Sequence, residues 1–252
     1  MIRGVLFLFF FILTHASLIL LYPFSLNAFL LCFSIYSAGT IIMLYILFSP
    51  RNRILVPNRS RVDSSKNCSI ALTFDDGPSR EHTPELLRIL NEKNVKATFF
   101  VVGNRAEKNP EHLLRIFKQG HAVANHTYSH FKLFCFVTPW RLRKEIERCS
   151  RVIKKITARE PVFFRSPAGI RHPFLAYYLK KMGLEFISWR RRAFDTFHQE
   201  PDRIKEKLLG KIHPGDIILL HDGNKPEVKN MLSMLPQLID ELRDRGYHFV
   251  KL

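Results

Sequence analysis

Cysteine is scarce and scattered. Cys32, Cys68, Cys135 and Cys149 form no C-x-x-C pair and are too few for a disulfide scaffold, so no oxidising compartment is demanded. Glycine and proline are also few, 11 and 14 of 252 residues, which excludes a collagen-like fibre or a low-complexity linker protein. Hydrophobic residues make up 46% of the chain, too many for a disordered one. Acidic side chains are in deficit, 22 against 39 basic ones, leaving a formal charge of +17. Such a charge suits nucleic acid or an anionic membrane. There is no zinc-finger spacing, RNA-recognition aromatic signature or basic helix with heptads, so nucleic acid is not an expected partner. At about 100–200 residues per domain, the length allows one sizeable domain and something small beside it.

The longest absence is of charge itself. Between Arg3 and Arg51 there is no Asp, Glu, Lys or Arg. A membrane-crossing helix needs about 20 apolar residues, so the stretch has room for two. Pro23 and Asn27 in Tyr22-Pro23-Phe24-Ser25-Leu26-Asn27 favour a turn, giving spans at Gly4–Leu21 and Ala28–Phe48 in a transmembrane hairpin over 1–50. The alternative is a cleaved signal peptide ending near Thr14-His15-Ala16, followed by one span. Arg51, Arg53, Arg59 and Arg61 open a basic juxtamembrane linker over 51–67 that can rest on anionic lipid headgroups. Together with Arg3, they favour the cytoplasmic face for the rest of the chain.

From Cys68 to Leu252, β-rich runs alternate with helical patterns, the signature of βα units and a parallel sheet. Strands are expected at Ser69–Phe74, Ala97–Val102, His121–Asn125, Val162–Phe164, Glu185–Ser188, Asp216–Leu220 and Tyr247–Val250. The clearest helix spans Thr138–Ala158, with Thr138 as N-cap, Pro139 in the first turn and an apolar stripe from Leu142 to Ile156. About seven such units are too few for a standard eight-fold barrel, so the expected fold class is α/β, a small distorted (β/α) barrel. Chemistry-bearing residues follow nearly every strand: Asp75-Asp76, His126, Arg165, Asp195 and His221. In parallel α/β folds, reactive groups gather at those C-terminal strand ends.

His126 and His130 stand four residues apart and can face one cation from a helical turn or compact loop. Alone, the pair is better read as solvated or capping histidines, and Asp-Asp-Gly-Pro alone is a good turn sequence. Together, at two strand ends, they favour a His₂Asp metal site.

Thr73-Phe74-Asp75-Asp76-Gly77-Pro78 and Asn125-His126-Thr127-Tyr128-Ser129-His130 resemble motifs of the polysaccharide deacetylases of carbohydrate esterase family 4. Phe164-Arg165-Ser166-Pro167-Ala168-Gly169 and Ile218-Leu219-Leu220-His221-Asp222 continue the likeness in the family's order, over residues 68–252. The resemblance implies metal-dependent hydrolysis of an acyl group, most simply N-acetyl, on a glycan or lipid-linked sugar. It implies Asp75 as general base, with Asp76, His126 and His130 as ligands to a divalent ion, zinc being favoured. It further implies Arg165 on the base and His221 as acid oriented by Asp195. Pro167 and Ala168 would lie against the substrate, the Ala168 N–H as oxyanion donor, and Leu219 would wall the acyl pocket.

Two departures stand out. Ala168 replaces a frequent aromatic residue, and Arg192-Ala193-Phe194-Asp195-Thr196 replaces an Asp-x-x-Asp-Trp stretch. Arg190–Arg192 are either contacts for an anionic group, such as a lipid-linked phosphate, or a solvated basic loop. His121, Phe99, Phe100, Phe163, Phe164, Cys135 and Cys149 read as structural. The competing functions are an inactive carbohydrate- or lipid-binding membrane protein on the same fold, and a nucleic-acid binder resting on charge alone. No protein partner is expected.

Overall fold

All seven residues of the first strand, Ser69–Asp75, are buried. Such a run, without polar alternation, is what a parallel strand covered on both faces requires. The computed structural model describes residues 26–49, 52–64, 68–131, 134–197 and 200–252. The expected first span, Gly4–Leu21, lies outside these residues.

Numbered in chain order, the strands are β1 (Ser69–Asp75), β2 (Thr98–Val101), β3 (Ala122–Asn125), β4 (Phe163–Phe164), β5 (Glu185–Phe186), β6 (Arg191–Arg192), β7 (Ile217–His221) and β8 (His248–Phe249). The helices are α1 (Leu26–Phe48), α2 (Thr83–Glu92), α3 (Gly103–Lys108), α4 (Pro110–Lys118), α5 (Pro139–Thr157), α6 (Leu175–Lys181), α7 (Pro201–Leu209) and α8 (Val228–Asp244).

The sheet runs β5-β4-β3-β2-β1-β7-β6, with β8 pairing the start of β1 off that path. Every strand-to-strand pairing is parallel. The seven strands of the path form a half-barrel whose two edges, β5 and β6, are joined by residues 187–190. Inside it, Ala71, Phe100, Ala124, Ile187, Trp189, Ile217 and Leu219 pack into one apolar cluster. Outside, α2, α4, α5, α7 and α8 bury their apolar stripes on the sheet. The Thr138 hydroxyl accepts the Arg141 N–H at 3.3 Å and caps α5, as the sequence indicates.

Three elements depart from expectation. Residues 52–62, expected as a juxtamembrane linker, are packed on the domain. Leu55 and Val56 are buried, Arg59 pairs with Ile187, and Arg61 pairs with Asp216. Arg59 also reaches Glu185 at 3.2 Å, so its charge is engaged within the fold. Gly103 opens the short helix α3, which the strand pattern did not indicate. Its missing side chain admits Tyr128, whose ring carbon would lie 2.8 Å from an added Cβ. Arg191 and Arg192 form β6, because their backbones pair with Ile218 and Leu219.

Of the expected hairpin, α1 alone lies within the described residues. It starts at Leu26 and takes in Asn27, and it is long and apolar enough to cross a membrane. In α1 only Leu47 is buried.

Candidate active site

The register of β1 and β7 places Asp75 directly opposite His221. Side chains at paired positions share a face of the sheet, so the two groups flank one mouth at the C-terminal strand ends. Asp76 follows at once on left-handed backbone, φ 75°. That conformation turns its carboxylate out of the strand's alternation and towards the loop after β3.

The loop after β3 carries His126 and His130, and several bonds hold it. The Asn125 side-chain oxygen accepts the Thr127 N–H at 2.8 Å, while its amide donates to Ile146 O at 2.8 Å and Ser150 Oγ at 2.9 Å on α5. Glu145 accepts both the N–H and the hydroxyl of Ser129, at 2.8 and 2.9 Å. Thr127 and His130 are also left-handed, at φ 68° and 55°. Strain of about 1–3 kcal/mol per residue persists only where surroundings over-determine the conformation, and it clusters at functional sites.

Within this frame the Asp76 Oδ1 lies 2.9 Å from His130 Nε2 and 3.5 Å from His126 Nε2. The three ligand atoms lie within 4.8 Å of one another. His126 Nδ1 sits 2.8 Å from the Arg165 carbonyl, which leaves Nε2 as the ring's free acceptor. Asp76 Oδ1 is buried and faces the two Nε2 atoms. Burial pushes its carboxyl up, but the bonds and charges of both imidazoles outweigh burial and hold it well below the usual carboxylate range. Two imidazoles and a carboxylate around one point are a donor set that fits a divalent cation.

Asp75 is fixed from the other side. Arg165, fully buried, donates from one terminal nitrogen to Asp75 Oδ1 at 2.6 Å and to Thr73 Oγ1 at 2.9 Å. Its guanidinium carbon lies 3.9 Å from the centre of the Phe100 ring. Burial lowers the arginine's pKa, opposed by Asp75, so the two charges depend on each other. Asp75 Oδ2 lies 3.8 Å from His126 Nε2, so the carboxylate held by Arg165 also reaches the metal-type cluster.

Asp195, with no exposed surface, grips His221 twice. One oxygen meets the ring Nδ1 at 2.9 Å and the other accepts the backbone N–H at 2.8 Å. Burial lowers the imidazole's pKa, but Asp195, helped by the charges of Asp75 and Asp76, brings it above the ordinary value. Pro167 and Gly169 are buried in the turn after β4, while Ala168 is exposed at φ 52°. Leu219 is 2% exposed and lies one alternation below His221, a floor residue of the interior cluster. All ten residues singled out in the sequence therefore stand on β1, β7 or the turns at the C-terminal strand ends.

The basic triplet does not join them as a unit. Arg191 Nε binds Asp216 at 3.0 Å, near the N-terminal end of β7. Arg190 and Arg191 line a hollow of about 460 Å³ there, together with Arg61, Lys211 and His213. Arg192 lies over the Phe194 ring at 4.6 Å.

Two supporting residues were missed by motif reading. The Arg105 guanidinium donates to the Asp76 carbonyl and so braces its left-handed backbone. Asp222 is buried, accepts the Thr83 hydroxyl at 2.8 Å, and is pushed up to about 7 chiefly by burial. An added Cβ on Gly77 would lie 2.3 Å from its carboxylate, so only glycine fits at that position. The adjacency of Asp222 to His221 was the available signal; for Arg105 there was none. His121 is structural as expected: its Nδ1 accepts the Ala97 N–H at 3.1 Å, and burial with two nearby lysines lowers it to about 4. Cys149 is a buried core thiol, pushed up to about 12 by burial.

The profile of the polysaccharide deacetylase family matches residues 63–187. A peptidoglycan-N-acetylglucosamine deacetylase of Bacillus cereus is 34% identical over 183 residues, 73% of this chain and 66% of that relative. A chitooligosaccharide deacetylase of Sinorhizobium fredii is 36% identical over 193 residues, 71% of this chain and 87% of that relative. Among solved structures, a peptidoglycan N-acetylglucosamine deacetylase superposes with a TM-score of 0.73 at 31% identity, covering 77% of this chain and 90% of its own.

Proposed function

This chain belongs to the polysaccharide deacetylase family, and on that premise we propose that it hydrolyses the N-acetyl group of a sugar residue in a glycan or lipid-linked saccharide. The observation that carries the proposal is the pairing of Asp75 with His221 across the ladder, beside the cluster of Asp76, His126 and His130. It supplies a fixed carboxylate and an imidazole above its ordinary pKa on one mouth.

Asp76, His126 and His130 would hold a divalent cation, zinc being the ion favoured for this donor set. A divalent ion there supplies Lewis-acid polarisation of the acyl carbonyl and a more acidic water. Asp75, oriented by Arg165, takes the proton from the attacking water. The Ala168 N–H steadies the oxyanion that develops on the carbonyl. His221, held by Asp195, gives its proton to the departing amine. Leu219, beneath His221, meets the acyl methyl, and Pro167 shapes the turn that faces the sugar.

We further propose that α1 anchors the protein in the membrane, as the described part of a two-span hairpin. Flanking positive charge favours the cytoplasmic face, which suits a lipid-linked precursor sugar. Protease accessibility of residues 68–252 in intact cells, compared with opened vesicles, tests the side.

An inactive binder on this fold is the alternative, and the complete set of base, ligands, arginine and acid speaks against it. Purified protein mixed with a chromogenic acetyl ester, with and without chelator, separates the two. Chelator-sensitive turnover supports the enzyme, and its absence favours the binder.

A further inference from the structure

We propose that Phe136 and Trp140 form an interfacial foot that seats in the same bilayer that α1 crosses. This rests on α1 being a membrane anchor. It adds a second contact with the lipid.

The anchor helix is not tethered loosely. The Arg171 N–H donates to the Leu47 carbonyl at 3.0 Å, and its guanidinium donates to the Ser49 carbonyl. Leu47, 5% exposed, packs in one cluster with Phe134, Val137 and Ile170. At about 1.5 Å per residue, the 23 residues of α1 match a hydrocarbon core of about 30 Å. Met43, Ile46 and Leu47 at the end of the helix already pack on the domain, so the domain surface around them lies at the headgroup level where the helix leaves the bilayer.

From that surface one segment turns outward. Phe134 and Val137 are buried against the anchor cluster, while Phe136 between them is 75% exposed and Trp140 is 63% exposed. The Lys144 ammonium lies 3.6 Å from the centre of the Trp140 ring, and the Arg141 guanidinium lies 4.7 Å from the centre of the Phe131 ring. Large apolar rings paired with cations are the chemistry of the membrane interface: the ring enters the acyl boundary and the cation meets an anionic headgroup. In water both rings stay largely exposed, Trp140 being met on one face by the Lys144 ammonium.

The test uses the full chain reconstituted in vesicles of phosphatidylcholine and phosphatidylglycerol, with and without brominated acyl chains that quench tryptophan on contact. The chain has 2 tryptophans, and Trp189 is buried in the barrel at 6% exposure. The expected result is a loss of emission on brominated lipid in the unmodified protein, abolished in Trp140→Phe and weakened in Phe136→Ser. Vesicle flotation in the same samples reports the anchor separately. Flotation without bromine-dependent loss overturns the foot alone, and failure to float overturns the anchor reading and the foot with it. A blue-shifted emission that ignores bromination and grows with protein density assigns the surface to a second copy of the chain, which also overturns it.

Discussion

Among the described residues the Asp195 carboxylate bonds to His221 alone, so Asp195→Asn isolates the acid from the base and the metal ligands. The substitution keeps the shape and removes the charge facing Nδ1 at 2.9 Å. A hydrogen bond to a charged group is worth about 1.5–3 kcal/mol, and about 1.4 kcal/mol is tenfold in rate, so kcat/KM should fall by roughly 10- to 150-fold. The pH profile should change as well. His221 acts as an acid only while protonated, and Asp195 is the leading influence that raises its pKa against burial. In the variant, the basic limb should therefore move to lower pH. Stability follows the same linkage. A raised folded pKa gives stability that is fully present below the unfolded imidazole value of about 6.5 and is lost as pH rises through the folded value. The unmodified protein should thus exceed the variant in Tm most at acid pH, with the gap closing above neutrality. A pH–rate series on an N-acetylated chitooligosaccharide, with melting curves at each pH, supplies both readings. Unchanged kcat/KM with superimposable basic limbs would refute the assigned role of Asp195.

Arg165→Met leaves the Asp75 carboxylate buried without its cation, and removing one partner of such a pair costs about 3–5 kcal/mol. Chemical denaturation should show that loss, and activity should vanish even under conditions where the variant is folded. Gly169→Ala forces a Cβ to 2.6 Å from the Trp189 ring at a φ of +71°. The left-handed backbone and the overpacking together should cost about 2–5 kcal/mol, read as a lowered denaturation midpoint. Thr138→Ala removes the cap of α5 and should cost about 1 kcal/mol with activity nearly unchanged, since that hydroxyl touches only the helix start.

The site was more legible in the sequence than the sheet that carries it. Asp75, Asp76, His126, His130, Arg165, Asp195 and His221 sit at strand ends because parallel strands expose their C-terminal turns, and that placement could be read from the alternation of elements. Helix α5 was legible for a local reason: Thr138, Pro139 and a stripe from Leu142 to Ile156 all point to the same structure. The closure of the barrel was not. Residues 185–192 give one edge to β4 and the other to β7, and three successive arginines in that run look like a solvated loop. Backbone pairing decides there, and side-chain pattern is silent. The linker misled for the opposite reason. Arg59 and Arg61 look like headgroup contacts until Glu185 and Asp216, more than a hundred residues away, are brought beside them. Arg105 left no trace at all, because its partner is the backbone carbonyl of Asp76.

Acetate release from an N-acetylated chitooligosaccharide by the full chain, measured after metal stripping and again after adding zinc, decides whether the chain is a metal-dependent deacetylase. The stripped protein should release none, adding the ion should restore release, and Asp75→Asn and His126→Gln should show no restoration. Release that survives stripping, or that persists in Asp75→Asn, would contradict this.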